Sequence, residues 1–101
     1  MNWENILNVI IKHVPNGSIT TYGNLSEYCF NHRKGGQSIR AMLQAAVDDD
    51  FNNSIHTNRV IYSNGKIADV NGQLGQLINE GQIIKKDKIN VKNTPLIVFK
   101  I

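Results

Sequence analysis

Four polar side chains in a row, His56-Thr57-Asn58-Arg59, precede the apolar pair Val60-Ile61, and their types are the first in this chain to invite a chemical reading. An imidazole beside a hydroxyl suggests a hydrolytic or metal-binding cluster. However, His13, His32 and His56 are widely spaced, and neither an H-x-x-x-H pair nor a cysteine pair accompanies them. No metal site and no cofactor is expected. Thr57 is a poor nucleophile, because an alcohol stays protonated unless a strong base adjoins it, and Asn58 is no base. The one thiol, Cys29, falls in Leu25-Ser26-Glu27-Tyr28-Cys29-Phe30 and reads as a buried, inert group on a helix. A single cysteine forbids an internal disulfide and fits a reducing compartment. Covalent catalysis is therefore not expected.

The elements that must position this segment can be read from pattern. In residues 2–14, Trp3, Ile6, Leu7, Val9, Ile10 and Val14 recur at spacings of three and four, which predicts an amphipathic helix capped by Asn2 and closed by His13. Pro15-Asn16-Gly17 breaks it. Thr20 or Thr21 then caps a second helix running to about Phe30. Helix starts carry free N–H groups and partial positive charge, so Thr20, Thr21, Tyr22 and Gly23 together suggest a phosphate seat, against the plainer reading of a cap with a packed tyrosine.

A basic, glycine-ended turn, residues 31–36, leads to a third helix over 37–47, with Ile39, Met42, Leu43, Ala46 and Val47 inward and Gln37, Ser38, Arg40, Ala41 and Gln44 outward. That outward row could lie in a nucleic-acid groove or be a solvated face. Asp48-Asp49-Asp50 reads as a solvated loop pointing away from any phosphate. Asn64-Gly65 between Val60-Ile61-Tyr62 and Lys66-Ile67-Ala68 predicts a type I′ hairpin. Asp69-Val70-Asn71-Gly72 reads as a turn, and Gln73 opens a short helix stopped by Gly81. A β pair is expected around Lys86-Asp87, with Lys85, Lys86, Lys88 and Lys92 clustered on it as a solvated edge or a nucleic-acid contact. Residues 94–101 read as an extended apolar segment that must pair or pack.

A chain of 101 residues, 41% hydrophobic, suffices for one domain and not two. No apolar run approaches the ~20 residues of a membrane span, and the N-terminus lacks the basic region of a signal peptide, so a cytoplasmic protein without a membrane partner is expected. A net charge of +3 permits a polyanionic partner without demanding one. The expected fold class is α+β: a small winged-helix-like domain with a helix-turn-helix and a β-ribbon.

Two stretches carry a family resemblance. Pro15-Asn16-Gly17-Ser18-Ile19-Thr20-Thr21-Tyr22-Gly23 resembles the Pro-x-Gly-x-Val-Thr-Thr-Tyr-Gly signature of the O6-alkylguanine-DNA alkyltransferases, and His56-Thr57-Asn58-Arg59-Val60-Ile61 resembles their Pro-Cys-His-Arg-Val-Val segment. On that alignment Thr57 stands where the family has its alkyl-accepting cysteine and Asn58 where it has the activating histidine. Arg59 is kept. Glu80, in Leu77-Ile78-Asn79-Glu80-Gly81, matches the glutamate of the family's relay, while its hinge asparagine falls on Asn52 or Asn53.

The pattern is that of the alkyltransferase-like proteins, which bind alkylated guanine without removing the alkyl group. The resemblance implies double-stranded DNA containing O6-alkylguanine as partner, nucleotide rotation driven by Tyr22, and a lesion pocket of Tyr22, Thr57, Asn58, Arg59 and Glu80. It also implies a DNA surface of Thr20, Thr21, Tyr22, Gly23, Gln37, Ser38, Arg40 and Ala41, a monomer, and hand-over to nucleotide excision repair proteins. Arg59 is expected to hold the site loop rather than touch phosphate. Residues 69–72 correspond to a shortened substrate loop, which opens the pocket to bulkier adducts.

The chain departs from the family on its third helix, where Gln37 replaces the arginine that fills the gap left by the flipped base and Arg40 replaces a glycine. An uncharged, shorter finger weakens flipping more than DNA contact, unless Arg40 supplies it. The competing expectation is a generic winged-helix DNA-binding module that recognises no lesion.

Overall fold

The computed structural model describes residues 2–92, 94, 96 and 97. Helix α1, Trp3–His13, starts at Asn2, whose side chain accepts the Asn5 N–H at 3.1 Å while the Asn5 carboxamide accepts the Asn2 N–H at 3.1 Å. Its stripe of Ile6, Leu7 and Ile10, with Val14 just beyond, is buried. After Gly17, at φ +90°, the chain enters strand β1, Thr20–Thr21, and passes directly into α2, Tyr22–Phe30. Thr21 is the cap, its hydroxyl accepting the Asn24 N–H at 3.0 Å.

A 3₁₀ turn over Arg33–Gly35 joins α2 to α3, Gly36–Asp49, in helix, turn, helix order. The buried face of α3 carries Ile39, Leu43, Ala46 and Val47, and Gln37, Ser38, Arg40, Ala41 and Gln44 are all exposed. The helix overruns residues 37–47, so Asp48 and Asp49 form its last turn instead of a loop; both are exposed, as is Asp50. Asp48 accepts a hydrogen bond from Gln44 at 3.0 Å, and Asp50 accepts the Asn52 N–H at 3.0 Å to start a second 3₁₀ turn, Phe51–Asn53. A short helix α4, Ser54–Thr57, follows. Between Asn52 and Asn53, it is Asn53 whose side chain is tied down, donating to the Ala46 carbonyl at 2.9 Å.

Strand β2, Val60–Ile61, does not fold back on residues 66–68 as a ribbon. It pairs in parallel with β1, in the register Thr20 to Val60 and Thr21 to Ile61. The turn at Asn64-Gly65 forms, with the Gly65 N–H donating to Tyr62 O at 2.8 Å and the Tyr62 N–H to Lys66 O at 3.0 Å, but only Gly65 is left-handed, at φ +91°. This is a right-handed turn closed by a glycine, not type I′. The Asn64 side chain instead accepts the Lys66 N–H at 3.0 Å, and Lys66 forms an antiparallel bridge with Lys88.

The mirror-image turn falls elsewhere. Strands β3, Ile84–Lys85, and β4, Lys88–Ile89, pair antiparallel across Lys86 and Asp87, at φ +53° and +59°. A two-residue connection between twisted strands demands that conformation whatever the side chains. Helix α5, Gln73–Asn79, ends at Glu80 and Gly81, the latter at φ +95°, with the Gln82 N–H donating to Leu77 O at 3.0 Å.

The short β2 strand divides two apolar cores, because successive strand side chains point to opposite faces. Val60 joins Ile6, Ile10, Val14, Leu25, Ile39 and Leu43, whereas Ile61 joins Ile19, Ile67, Leu77 and Ile89. Of the extended segment expected at 94–101, Ile97 packs on the first core and donates its N–H to Ile19 O at 2.9 Å, and Leu96 packs on the second. The remainder of that segment lies outside the described residues. The result is a small mixed α+β fold, and no helix among the described residues is long and apolar enough to cross a membrane.

Candidate functional site: a cavity between α3 and the end of α4

A cavity of about 310 Å³ opens where the start of α2, the outer face of α3, the end of α4 and the turn before α5 meet. Tyr22 enters it from α2, Gln37, Arg40, Ala41 and Gln44 from α3, Thr57 and Asn58 from α4, and Val70, Asn71 and Gln73 from the turn and α5. Of the residues singled out from sequence, Tyr22, Gln37, Arg40, Ala41, Thr57 and Asn58 thus converge. Gly23 lines an adjoining groove of about 570 Å³ with Arg33, Tyr62, Ser63 and Asn64, and Ser38 is exposed on α3 outside both. His56 does not line the cavity.

Thr20 and Thr21 are buried, at 0% and 2% exposure, and their hydroxyls are committed internally. Thr20 donates to Ile97 O at 2.8 Å and Thr21 caps α2. They shape the helix start that presents Tyr22, rather than offering hydroxyls at the surface.

Arg59 and Glu80 sit behind the cavity. The guanidinium donates to both carboxylate oxygens, from Nε at 3.0 and 3.2 Å and from Nη2 at 2.8 Å, and Nη1 donates to Val14 O at 3.4 Å. Each side chain is 8% exposed. Burial alone would raise the Glu80 carboxyl, but hydrogen bonds from Arg59 and Gln76, the Arg59 charge and a bond from the Gly17 backbone outweigh it and hold the group below its usual range. Burial and then the Arg59 charge lower the His56 imidazole, whose Nδ1 is buried with no partner among the described residues. His56 is thus a neutral ring at pH 7.

Asn58 shows how its floor is oriented. Its amide group donates to Asn71 O at 3.0 Å and to Gln76 Oε1 at 2.9 Å. Gln76 in turn donates to Ile55 O at 2.7 Å and to Glu80 Oε2 at 3.1 Å. Because backbone carbonyls accept only, both amides have one possible orientation. Both amide hydrogens of Asn58 are committed, so what this side chain has left for a ligand is its carbonyl oxygen. Gln73, 3% exposed, clamps the same floor: its Nε2 donates to Asn58 O and Val60 O, each at 2.9 Å, and its Oε1 accepts the N–H groups of Ala68 and Asp69 at 3.1 and 3.3 Å.

At the rim, Tyr22 and Tyr62 meet edge to face with centroids 5.2 Å apart, and the Arg40 guanidinium lies 5.6 Å from the Tyr62 centroid. Burial, and secondarily the neighbouring Tyr62, push the Tyr22 phenol up to about 12 despite the opposing charge of Arg40. It is a hydrogen-bond donor throughout the neutral range. Cys29 is half-buried on α2, its thiol raised by burial. Among the described residues no three His, Cys, Asp or Glu gather as a metal would require.

Sequence reasoning missed Gln73, Gln76, Asn71, Arg33 and Tyr62. The amides carried a usable signal: Asn71, Gln73 and Gln76 crowd into six positions, and Gln73 and Gln76 share a helix face. No protein-family model, curated protein or solved structure matches this chain.

Proposed function

We propose that this is a non-catalytic DNA-binding protein of winged-helix type that accepts an O6-alkylguanine, rotated out of duplex DNA, into the cavity of about 310 Å³ and marks it for repair. The observation that carries the reading is convergence. Tyr22, Gln37 and Arg40, and Thr57 and Asn58, come from three separate stretches of sequence and line one cavity, in a size range of roughly 300–1,000 Å³ suited to small ligands. The rim supports contact with a nucleotide: a protonated phenol can donate to a phosphate oxygen, and Arg40 and Tyr62 offer a cation and a ring face.

The floor supports binding without transfer. Thr57 is buried, its hydroxyl donates at 3.5 Å to Ser54 O, and the adjacent Asn58, held by amide bonds, is no base to take its proton. The lesion would stay intact for other proteins to process, nucleotide excision repair proteins being the partners this reading implies for a cytoplasmic monomer. Rotating a nucleotide out costs a few kcal/mol, least for a poorly paired base, which is where selectivity would arise.

The test is binding to matched duplexes carrying guanine or O6-methylguanine at one position. Tighter binding to the lesion is expected, with Tyr22→Phe losing more on the lesion duplex than on the plain one. Equal affinity for the two duplexes supports instead a generic winged-helix module, a reading favoured by Gln37 at the cavity edge and by the exposed β3–β4 hairpin. A methyl group found on the protein by mass measurement would overturn the non-catalytic assignment.

A further inference from the structure

Register in the second β region places three like charges side by side. Lys88 of β4 pairs with Lys85 of β3 on one side and bridges antiparallel to Lys66 on the other. The Ile67 N–H donates to Asp87 O at 3.0 Å and the Ile89 N–H to Gly65 O at 2.9 Å, which fixes that bridge. Residues directly opposite in antiparallel strands point to the same face, in steps of roughly 4.5–5.5 Å. The alternate residues Ile67 and Ile89 are buried, at 3% and 2%, so the lysine face is the outer one, and all three lysines are exposed.

Like charges directly opposite on a sheet are destabilising, and among the described residues no ion pair relieves these. The ion pairs among the described residues join Arg33 to Glu27 and Arg59 to Glu80, and none includes Lys66, Lys85, Lys88 or Lys92. Nor is the row isolated. A hollow joins Lys66 to Arg40 and Asn64, and a groove of about 550 Å³ joins Asn64 to Lys85, Lys88 and Lys92. Asn64 also lines the groove that holds Arg33, Arg40 and Tyr22. One cationic band therefore runs from the mouth of the candidate cavity to the β3–β4 hairpin.

We propose that Lys66, Lys88 and Lys85 form a phosphate-binding rail that extends the duplex DNA footprint from the cavity onto the hairpin. This rests on the DNA-binding reading above and adds to it a surface that senses backbone, not base. A polyanion with regularly spaced charges is the partner that turns three aligned, unpaired ammonium groups from a repulsion into an attraction. Each phosphate neutralised releases condensed counterions, so the rail has a signature in salt dependence that a pocket contact lacks.

The experiment compares the intact chain with a Lys66→Gln, Lys85→Gln, Lys88→Gln variant on plain and lesion duplexes between about 50 and 200 mM salt. The slope of log K against log salt should become shallower by about 2.7, at about 0.9 per phosphate lost. The ratio of lesion to plain affinity should stay the same, and the variant's melting temperature at low salt should equal or exceed that of the unaltered chain. An unchanged slope overturns the rail. So does binding of the unaltered chain to phosphatidylserine vesicles but not to duplex, which would give these lysines to a membrane surface. A shallower slope with no lesion preference in either protein keeps the rail and removes the lesion reading, so the two fail separately.

Discussion

Replacing Glu80 by alanine tests the claim that a buried ion pair holds the cavity floor. In the folded protein three of the four hydrogen bonds made by the Arg59 guanidinium end on this carboxylate, and the fourth, to Val14 O, is long at 3.4 Å. With both side chains only 8% exposed, solvent cannot take over the lost contacts. Removing one partner of a buried pair leaves an uncompensated charge and costs about 3–5 kcal/mol, and the lower end applies because Nη1 retains its carbonyl. For a chain of this size about 3 kcal/mol lowers the melting temperature by roughly 12 °C or more.

The sign with pH follows from the direction of the carboxyl shift. Because the folded Glu80 group lies below its ordinary value of 4.5, its stabilisation is complete above 4.5 and is lost as pH falls through the folded value. Urea unfolding followed by circular dichroism and the fluorescence of Trp3, the single tryptophan, should therefore show Glu80→Gln far below the unaltered chain at pH 7 and converging with it in acid. A Glu80→Ala loss under about 1 kcal/mol, or parallel acid limbs for the two proteins, would refute the argument. An Arg59→Met, Glu80→Leu double replacement should recover much of the loss, since apolar residues of similar volume often substitute for a buried pair at little cost.

Two further outcomes follow from the same geometry. Gln73→Ala removes the side-chain partner of two buried backbone carbonyls and of the Ala68 and Asp69 N–H groups, so it should cost about 2–4 kcal/mol in urea unfolding and, if the proposed lesion binding holds, abolish lesion preference while leaving plain-duplex salt dependence unaltered. Cys29, raised by burial, should react with iodoacetamide more slowly than a free thiol at pH 7, with the rate climbing as pH rises; reaction as fast as free cysteine would contradict a half-buried, unactivated thiol.

Sequence pattern exposed the helices because their information is local. The periodic apolar stripe and Asn2 cap of α1, the Thr21 cap of α2, the outward row of α3 and the stop at Gly81 all follow from spacing and capping chemistry within a few residues. What it did not expose was long-range pairing. Val60-Ile61 beside Asn64-Gly65 carries a hairpin signal, yet parallel pairing with Thr20-Thr21 lets Val60 and Ile61 fill two cores at once, and burial on both faces outweighs a turn preference. Likewise the helical run through residues 51–57 has too few apolar positions to show a period, and only its packing under α3 reveals it. In the site, residue identity pointed to Tyr22, Thr57 and Asn58, whereas the part that Gln73 and Gln76 play in holding Asn58 followed only from their hydrogen bonds, although their crowding was legible in the sequence.

The polar shell behind the cavity bears on what the cavity can select. Arg59 ties the end of α1, through Val14 O, to the end of α5, through Glu80, and stands next to Asn58 in the chain. Gln73 and Gln76 fix the neighbouring backbone and the Asn58 amide. A floor so fixed is ordered before any ligand arrives, so binding energy is not consumed in ordering it, which would matter for the proposed rotation of a nucleotide, itself costing a few kcal/mol. The same fixation forbids Asn58 from reversing its amide, so its carbonyl oxygen is the acceptor this side chain has left to offer. On the proposed reading, a base edge with an amino donor, as guanine carries at N2, would be matched there, whereas an edge offering only acceptors would face an unpaired oxygen and be rejected.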